Sequence, residues 1–316
     1  MDGVMDGVSS QPEPVTTPSA GRPVLVLDNN VLRNERVIEG CIARYLRTGE
    51  QFALPSMAMF ELTKHPDAWE STVRKSLEYV GRSPDALVIT HTAKDLGALE
   101  EVTGKPTEQV VSDKMTSAWR KLLADIRTGD GPDLDYFRWA VTTLRKEMRY
   151  EEYETDTRAL IQKLRDIARS TFPRDLIARI GGDLARGERA TFRELVAGVI
   201  RVEQQRDAHV RRGVPKDLAD ALLDAPGVSY LFALAVGVVA LDWLFRGGIE
   251  SAKPRTVAND VLDIEYIIPA LWIGGLVARD DGARERFDDL KVLGAATWPS
   301  HAQWFGRAQT VHPDDL

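Results

Sequence analysis

The sequence predicts an α/β fold, in which helices sandwich a parallel sheet and a large all-helical insertion occupies the middle of the chain. Two observations predict it. Short apolar runs of strand length alternate with helical patterns towards both ends of the 316 residues. Between about residues 92 and 222 the chain is instead charged and helical by period. Because strands that alternate with helices are joined by crossover connections, the sheet is expected to be parallel.

Three short runs are predicted to form the first half of the sheet. Residues 24–27, VLVL, are an apolar run bounded by polar turn residues, which is typical of a buried strand. Helical periodicity follows and ends at Gly49, a common helix stop. A second strand is predicted at 51–55, then a helix with Ser56 as its N-cap, then a third strand at 85–90.

The middle of the chain is predicted to be helical throughout. The clearest candidate helices are 112–129, 135–172 and 174–187. Pro173 and the Gly181–Gly182 pair punctuate these candidate helices. No fixed-period repeat is visible, so the region is predicted to be a helical insertion or subdomain.

The α/β pattern returns near residue 228. Residues 255–275 are predicted to form one helix, with Asn259 or Asp260 near its start. The remaining predicted elements are a strand at 275–279, a turn and helix at 280–290, and a last strand at 291–297.

The uncharged apolar run at 228–241 raises the question of a membrane span. It has 14 residues before Asp242, fewer than the roughly 20 that cross a bilayer as a helix. We therefore predict a buried core helix, with a membrane span as the alternative.

These patterns divide the chain into four parts. The 1–21 segment lacks the basic and apolar regions of a secretion signal, and its Ser, Pro, Thr and Gly content predicts a disordered leader. The predicted parts are the leader 1–21, the first half of the core 22–91, the helical insertion 92–227 and the second half of the core 228–316.

The charge and the cysteine content of the chain limit the kinds of ligand and metal site that it can have. The chain has 41 Lys and Arg against 48 Asp and Glu, a formal net charge of -7. Its long-range field does not attract nucleic acid, so binding one requires a local basic patch or bridging metal ions. The single cysteine, Cys41, allows no disulfide within the chain and no cysteine zinc site, and we predict a buried, inert thiol.

Carboxylates follow two of the predicted strands. Asp28 follows VLVL, and Asp280 with Asp281 follows GLVAR. Both strands are apolar and are therefore expected at the centre of the sheet, where acids at equivalent strand ends lie close together. Such carboxylates repel one another unless a cation or proton compensates. Mg²⁺ and Mn²⁺ prefer oxygen ligands of this kind, so the pattern predicts a metal site.

Further carboxylates stand on apolar helices. Glu61 lies within MAMFEL, which is an unfavourable place for an unpaired charge. Asp260 and Asp263 lie on the predicted helix at 255–275, and Asp263 is followed directly by apolar residues. An acid near a helix N-terminus can also simply stabilise the helix dipole. That explanation suits Asp260 as well as metal binding does, but it suits Asp263 less well.

Four segments, in chain order, resemble the acidic motifs of PIN-like domains: VLVLDNNVL, ALPSMAMFELTKHP, ANDVLDIEYIIPAL and GLVARDDGARERF. The resemblance covers roughly 22–90 and 228–300. It implies a PIN-like, Rossmannoid parallel sheet and a nuclease that cuts RNA, less often DNA, with Mg²⁺ or Mn²⁺. By the same resemblance the four catalytic and metal-binding positions are taken by Asp28, Glu61, Asp263 and Asp280.

Two positions of this acidic set stay open at the level of sequence. Asp260 competes with Asp263 for the third position, and Asp281 competes with Asp280 for the fourth, so both are retained as metal ligands. The candidate substrate contacts are Asn29, Arg279 and Arg284, which flank the first and fourth acids.

The resulting prediction is a metal-dependent endoribonuclease with a four-carboxylate site. A catalytically impaired PIN-like binding or scaffold protein is the alternative, because Ala278 stands where the family often has Ser or Thr. A haloacid-dehalogenase-type phosphatase would need a second Asp at position 30, where this chain has Asn30. We expect a cytoplasmic protein with a nucleic-acid partner and no membrane, and an insertion that selects substrate or contacts a protein partner or a second copy.

Overall fold

The computed structural model describes residues 24–64, 68–103, 109–147 and 150–315, so the predicted leader 1–21 lies outside the described residues. One sheet contains the strands β1 Val24–Leu27, β2 Phe52–Pro55, β3 Leu87–Thr90, β4 Gly274–Val277 and β5 Gln309–Val311. Its order is β3-β2-β1-β4-β5, and all four strand pairings are parallel. The predicted α/β class with a parallel sheet is confirmed.

Helices make up most of the remaining described chain. In the first half they are α1 Glu35–Thr48, α2 Met57–Thr63, α3 Trp69–Leu77, α4 Ala93–Thr103, α5 Asp113–Thr128, α6 Pro132–Glu147, α7 Tyr150–Thr171 and α8 Arg174–Ala185. In the second half they are α9 Ala190–Val199, α10 Val202–Arg211, α11 Lys216–Ala221, α12 Val228–Arg246, α13 Pro254–Leu262, α14 Ile264–Ile273, α15 Asp281–Thr297 and α16 Ala302–Arg307.

The central strands are buried, as their apolar sequences predict. Leu27, Leu54 and Val277, on three neighbouring strands, are fully buried. Parallel strands are buried in this way because their crossover helices cover the faces of the sheet. Buried helical residues of the middle region, Leu123 and Phe192 among them, belong to the same hydrophobic cluster. The helical region therefore shares its core with the sheet.

α1 shows how local sequence sets an element. The Asn34 side chain accepts a hydrogen bond from the Val37 amide, which satisfies one free donor at the start of the helix. Gly49 ends the helix with φ 72°, a conformation that glycine adopts without strain, as predicted. Cys41 is buried on this helix, and burial raises the pKa of its thiol to about 12, so the thiol stays protonated at neutral pH.

The predicted strand at 291–297 is wrong, because this segment is the end of α15. Leu290, Leu293 and Gly294 are buried at helical spacing. A Cβ at Gly294 would lie 2.3 Å from the Phe305 ring, so α16 packs directly on this glycine. The last strand is β5, whose three partly exposed residues carry little sequence signal.

The predicted helix at 174–187 is α8, and Gly181 and Gly182 lie within it without interrupting it. A Cβ at Gly181 would lie 2.6 Å from the carbonyl oxygen of Phe245 on α12. The glycine therefore permits two helices to approach closely. Pro173, in contrast, does precede α8 as predicted.

The predicted single helix at 255–275 is divided into α13 and α14, and Asp263 is the residue between them. Asp260 consequently lies in the last turns of α13 and not near a helix start, so the prediction for Asp260 was wrong. Asp263 directly precedes the apolar helix α14, whose residues from Ile264 to Leu271 are buried. This placement fixes Asp263 against the core.

Among the described helices, α12 alone is long and apolar enough to cross a membrane, and 67% of that apolar window is buried inside the protein. The helix packs against α4, α7, α8 and α15. Its first amides, of Val228 and Ser229, donate to the buried carboxylate of Glu100 at 2.8 and 3.0 Å. In this structure α12 is a core helix.

Candidate acidic site

The carboxyl ends of β1 and β4 lie side by side where the strand order changes direction. The chain builds β1, β2 and β3 towards one side and then returns to place β4 on the other side of β1. Leu27 pairs with Val277, and the Asp28 amide donates to the Val277 carbonyl at 2.9 Å. In open parallel sheets this position forms a ligand-binding crevice. We call it the switch edge; Asp28 follows β1 there, and Asp280 lies shortly after β4.

Asp28 is buried at the switch edge, with 5% of its surface exposed. The Asn30 side-chain amide donates to its Oδ2 at 3.2 Å, and the Asn30 backbone amide lies 3.5 Å from its Oδ1. Burial raises the pKa of Asp28 to about 6, and the charges of Glu61 and Asp280 raise it further against the Asn30 hydrogen bonds. A bound cation would stabilise the ionised form of such a carboxyl group.

Glu61 lies on α2, the short helix that begins just after β2. The hydroxyl of Tyr266, on α14, donates to Glu61 Oε2, and Lys64 Nζ lies 3.9 Å from Oε1. Burial raises the pKa of Glu61, while the Tyr266 hydrogen bond and the positive charges of Lys64 and Arg255 lower it. Burial also raises the pKa of Tyr266 well above its ordinary value, so its hydroxyl remains a donor.

Asp263 lies at the junction of α13 and α14, within electrostatic range of Asp28 and Asp280. Burial raises its pKa well above the ordinary value, and the charges of Asp28, Asp260 and Asp280 add to the shift. Arg286, on α15, opposes the shift and donates from Nη1 to Asp263 Oδ2 at 2.8 Å. One oxygen of Asp263 is thus held by an arginine of the chain itself.

Asp260 has partners on both carboxylate oxygens. Its Oδ1 lies 2.8 Å from Nη2 of Arg286, and its Oδ2 accepts from the indole of Trp243 at 2.9 Å. The Arg286 guanidinium therefore bridges Asp260 and Asp263. With its oxygens engaged in this way, Asp260 is a weaker candidate ligand than Asp263.

Asp280 and Asp281, the two candidates for the fourth acidic position, have different contacts. Asp280 caps α15, accepting from the Ala283 amide at 3.1 Å, and its charge raises the pKa of both Asp28 and Asp263. Both acids are exposed, but the Asp281 carboxylate forms an ion pair with Arg284. These contacts favour Asp280 over Asp281.

The three predicted substrate contacts lie in different environments. Oδ1 of Asn29 is buried and, among the described residues, has no hydrogen-bond partner. Arg284 donates to the Ala278 carbonyl at 3.2 Å and pairs with Asp281, so it is held locally. Arg279 is exposed and lines a surface pocket next to Asn30.

Sequence reasoning did not find Arg286 or Tyr266. Arg286 has a recognisable signal, because it interrupts the buried face of α15 that Ala283, Phe287 and Leu290 form at helical spacing. A buried charge on an apolar face requires a partner. Tyr266 has no comparable signal, since its hydroxyl ends an aromatic side chain within an apolar helix.

The donor chemistry of the switch edge fits Mg²⁺ or Mn²⁺, which take carboxylate and amide oxygens. Asp28, Glu61 and Asp280 supply such oxygens, and the buried Oδ1 of Asn29 is another. Within the part of the chain that the structure describes, no group of three or more His, Cys, Asp and Glu side chains is already arranged to hold a metal ion. The acids are therefore electrostatic neighbours whose side chains would need to turn towards a shared ion.

No family model, curated protein or solved structure matches this chain. The PIN-like family thus stays a prediction from the four sequence segments. The parallel sheet and the positions of the acids at the switch edge do not depend on that prediction.

Proposed function

We propose that this chain is a PIN-like nuclease that uses Mg²⁺ or Mn²⁺ to hydrolyse phosphodiester bonds, preferentially in RNA rather than in DNA. The observation that carries the proposal is the mutual electrostatic influence of Asp28, Glu61, Asp263 and Asp280, which come from four separate segments. Carboxylates that lie close together repel one another unless positive charge or a proton compensates, and in the described contacts neither Asp28 nor Asp280 forms an ion pair. The preference for RNA comes from the resemblance of the segments to PIN-like motifs.

The proposed mechanism assigns the acids to binding and orientation. Asp28, Glu61 and Asp280 would hold the cation with oxygen ligands, together with the free oxygen of Asp263. When bound, the cation activates water and offsets charge on the phosphate. Asn29, whose buried Oδ1 has no hydrogen-bond partner among the described residues, would orient a water molecule or complete the ligand set.

Three other side chains act as positioning residues. Tyr266 fixes Glu61 through its hydroxyl, and Arg286 fixes Asp263 at 2.8 Å. Lys64 lies 3.9 Å from Glu61. Lys64 and Arg286 each add a positive charge beside the acids, which reduces the repulsion between the site and a phosphate backbone.

The decisive test is cleavage of a single-stranded RNA in Mn²⁺ by the wild type and by Asp28→Asn. The substitution removes one ligand charge at nearly constant volume. We expect the cleavage rate to fall at least about 100-fold, because loss of a residue that only supports a metal ligand already costs about 10- to 100-fold. Asp224→Asn, an exposed acid away from the switch edge, is the matched control and should cut like the wild type. Equal cleavage by Asp28→Asn and wild type would refute the assignment.

A second pair of variants tests the choice within the fourth position. Asp280→Asn should lose activity as Asp28→Asn does, because Asp280 influences both Asp28 and Asp263. Asp281→Asn should retain most activity, since the Asp281 carboxylate already pairs with Arg284. The reverse order would assign the position to Asp281.

Two observations favour the alternative of a catalytically impaired binding or scaffold protein. Ala278 is fully buried and offers no hydroxyl at the position where PIN-like proteins often have one. Arg286 already occupies one oxygen of Asp263. Calorimetric titration with Mn²⁺ separates the two functions: the nuclease should bind the ion, and binding should weaken in Asp28→Asn. No heat of binding in the wild type would favour the scaffold.

The remaining functional predictions concern the binding partners and the cellular location of the protein. A nucleic-acid partner, a cytoplasmic location and the absence of membrane association remain part of the proposal. The helical region, α4 to α11, remains the proposed contact for substrate selection, a protein partner or a second copy.

A further inference from the structure

A surface pocket of about 540 Å³ lies beside the switch edge. Arg33, Arg36 and Arg279 line it, together with Asn30 and Asn34, and we call it the arginine pocket. It adjoins the acids directly, because Asn30 also donates to Asp28 and Arg279 immediately precedes Asp280. The pocket and the acidic site thus share one rim.

Among the described residues, the arginines of this pocket have no acidic partners. In the described ranges, none of Arg33, Arg36 and Arg279 forms an ion pair; Arg33 donates to Ser76 Oγ at 3.1 Å, which leaves its charge uncompensated. The pocket also contains Glu35 and Glu39, which bind a fourth arginine outside the pocket.

That fourth arginine determines the charge balance. Arg82 lies 2.9 Å from Glu35 and 2.9 Å from Glu39, so both carboxylates are already engaged. The four arginines and two glutamates together retain two positive charges. This local excess is opposite in sign to the formal net charge of the chain, -7.

The ligand class follows from this charge and from arginine chemistry. Guanidinium groups bind phosphate oxygens with two parallel hydrogen bonds, which gives the interaction both strength and geometry. A terminal phosphomonoester carries about 1.5 to 2 negative charges at neutral pH and matches the pocket's excess, whereas an internal phosphodiester carries one. The volume also lies within the roughly 300–1,000 Å³ that is usual for small-molecule ligand pockets.

We propose that the arginine pocket binds the terminal phosphate of a nucleic-acid strand and so sets the register of the strand across the switch edge. The choice of polymer rests on the proposed nuclease function, but binding of the phosphate does not require cleavage. A strand held by its end presents a phosphodiester to the acids at a fixed distance from that end. A phosphomonoester offers the same oxygens at a 5′ end and at a 3′ end, so the binding measurement decides which end is held.

The test measures binding and cleavage separately with the full-length protein. Fluorescence anisotropy in EDTA compares three short single-stranded RNAs of one sequence: with a 5′-phosphate, with a 3′-phosphate and with no terminal phosphate. We expect one phosphorylated RNA to bind about tenfold more tightly than the unphosphorylated one, the ratio that one additional charge-assisted contact produces. Inorganic phosphate should compete only with that RNA.

Arginine variants locate the effect. Arg36→Gln and Arg279→Gln should each remove the preference for the phosphorylated end, while Arg127→Gln, an exposed arginine on α5, should leave it intact. Circular dichroism confirms that each variant is folded. Equal binding of all three RNAs by the wild type would overturn the proposal. So would variants that weaken all three RNAs equally, because the arginines would then contact an internal phosphodiester.

Cleavage in Mn²⁺ distinguishes this proposal from the nuclease proposal. A preference for the phosphorylated end in EDTA without cleavage in Mn²⁺ would support the pocket and remove the proposed activity. Cleavage with no such preference would support the activity and overturn the pocket.

Discussion

At the scale of the residue, Glu265 is a buried carboxyl group without an ion pair in the described contacts. It is 7% exposed and accepts a hydrogen bond from the Ala93 amide at the start of α4 at 2.5 Å. Burial raises the pKa of Glu265 to about 7, the Ala93 hydrogen bond opposes the shift, and the charge of Asp95 adds to it. Near neutral pH this group is therefore partly protonated in the folded protein.

The shift predicts how stability depends on pH. Below the unfolded pKa of 4.5, Glu265 is protonated in both states. Between 4.5 and about 7 the unfolded chain loses its proton first, so the free energy of unfolding falls as pH rises. The loss is complete above about 7 and amounts to on the order of 3 kcal/mol.

Urea denaturation of the wild type and of Glu265→Gln at about pH 5 and about pH 8 measures most of this loss. Because glutamine does not titrate, the variant should lose less stability than the wild type between the two conditions. Glu194→Gln, an exposed glutamate on α9, should behave like the wild type. A variant with the same loss as the wild type would show that Glu265 does not titrate in this window.

At the scale of the element, the crossing of α8 and α12 depends on a glycine. A Cβ at Gly181 would lie 2.6 Å from the backbone carbonyl of Phe245, which has no side-chain freedom to move away. At the next residue of the same helix, Gly182, the nearest atom to a Cβ is the Arg186 side chain at 3.6 Å, an ordinary contact. The two glycines therefore form a matched pair.

Alanine at these positions should have opposite effects on stability. Gly181→Ala forces the helices apart and should lower the free energy of unfolding by about 1–3 kcal/mol. Gly182→Ala restricts the unfolded chain and improves helix propensity, so it should raise stability by about 0.5–1 kcal/mol. Chemical denaturation compares them, and equal effects of the two substitutions would contradict the close approach at Gly181.

At the scale of the whole molecule, a buried ion network joins the helical region to the second half of the fold. Asp289, on α15, is fully buried and binds Arg189 at 2.5 Å and Arg193 at 2.7 Å. Arg189 also pairs with Glu285 at 2.8 Å. Because Arg189 precedes α9 and Arg193 lies on it, the network fastens this helix to α15.

Asp289→Ala would leave these arginine charges without their buried partner. We expect the free energy of unfolding to fall by about 3–5 kcal/mol. Asp207→Ala, which removes an exposed partner of Arg206, should cost less than about 1 kcal/mol. The helical region and the sheet share one hydrophobic cluster. The unfolding transitions of Asp289→Ala followed by near-UV and by far-UV circular dichroism should therefore shift to lower denaturant concentration together. Separate transitions would show that the two regions unfold independently.

The sequence by itself predicted the elements whose signals are local. VLVL at 24–27 is a strand because apolar β-branched residues suit a buried sheet, and Gly49 ends α1 because it adopts a positive φ. The same local reasoning identified Asp28 as a strand-end acid. It failed at 291–297, which was predicted to be a strand, whereas packing against Phe305 favours a helix.

Only the tertiary structure decided which side chains share the switch edge. Strand order placed β4 beside β1 and brought Asp280 within electrostatic reach of Asp28, although 251 residues separate them in the chain. It also brought Arg286 to Asp263 and Tyr266 to Glu61. The physical reason is that caps, turns and helical periods depend on neighbouring residues, whereas charge pairing in a buried site depends on distances that only the folded chain sets.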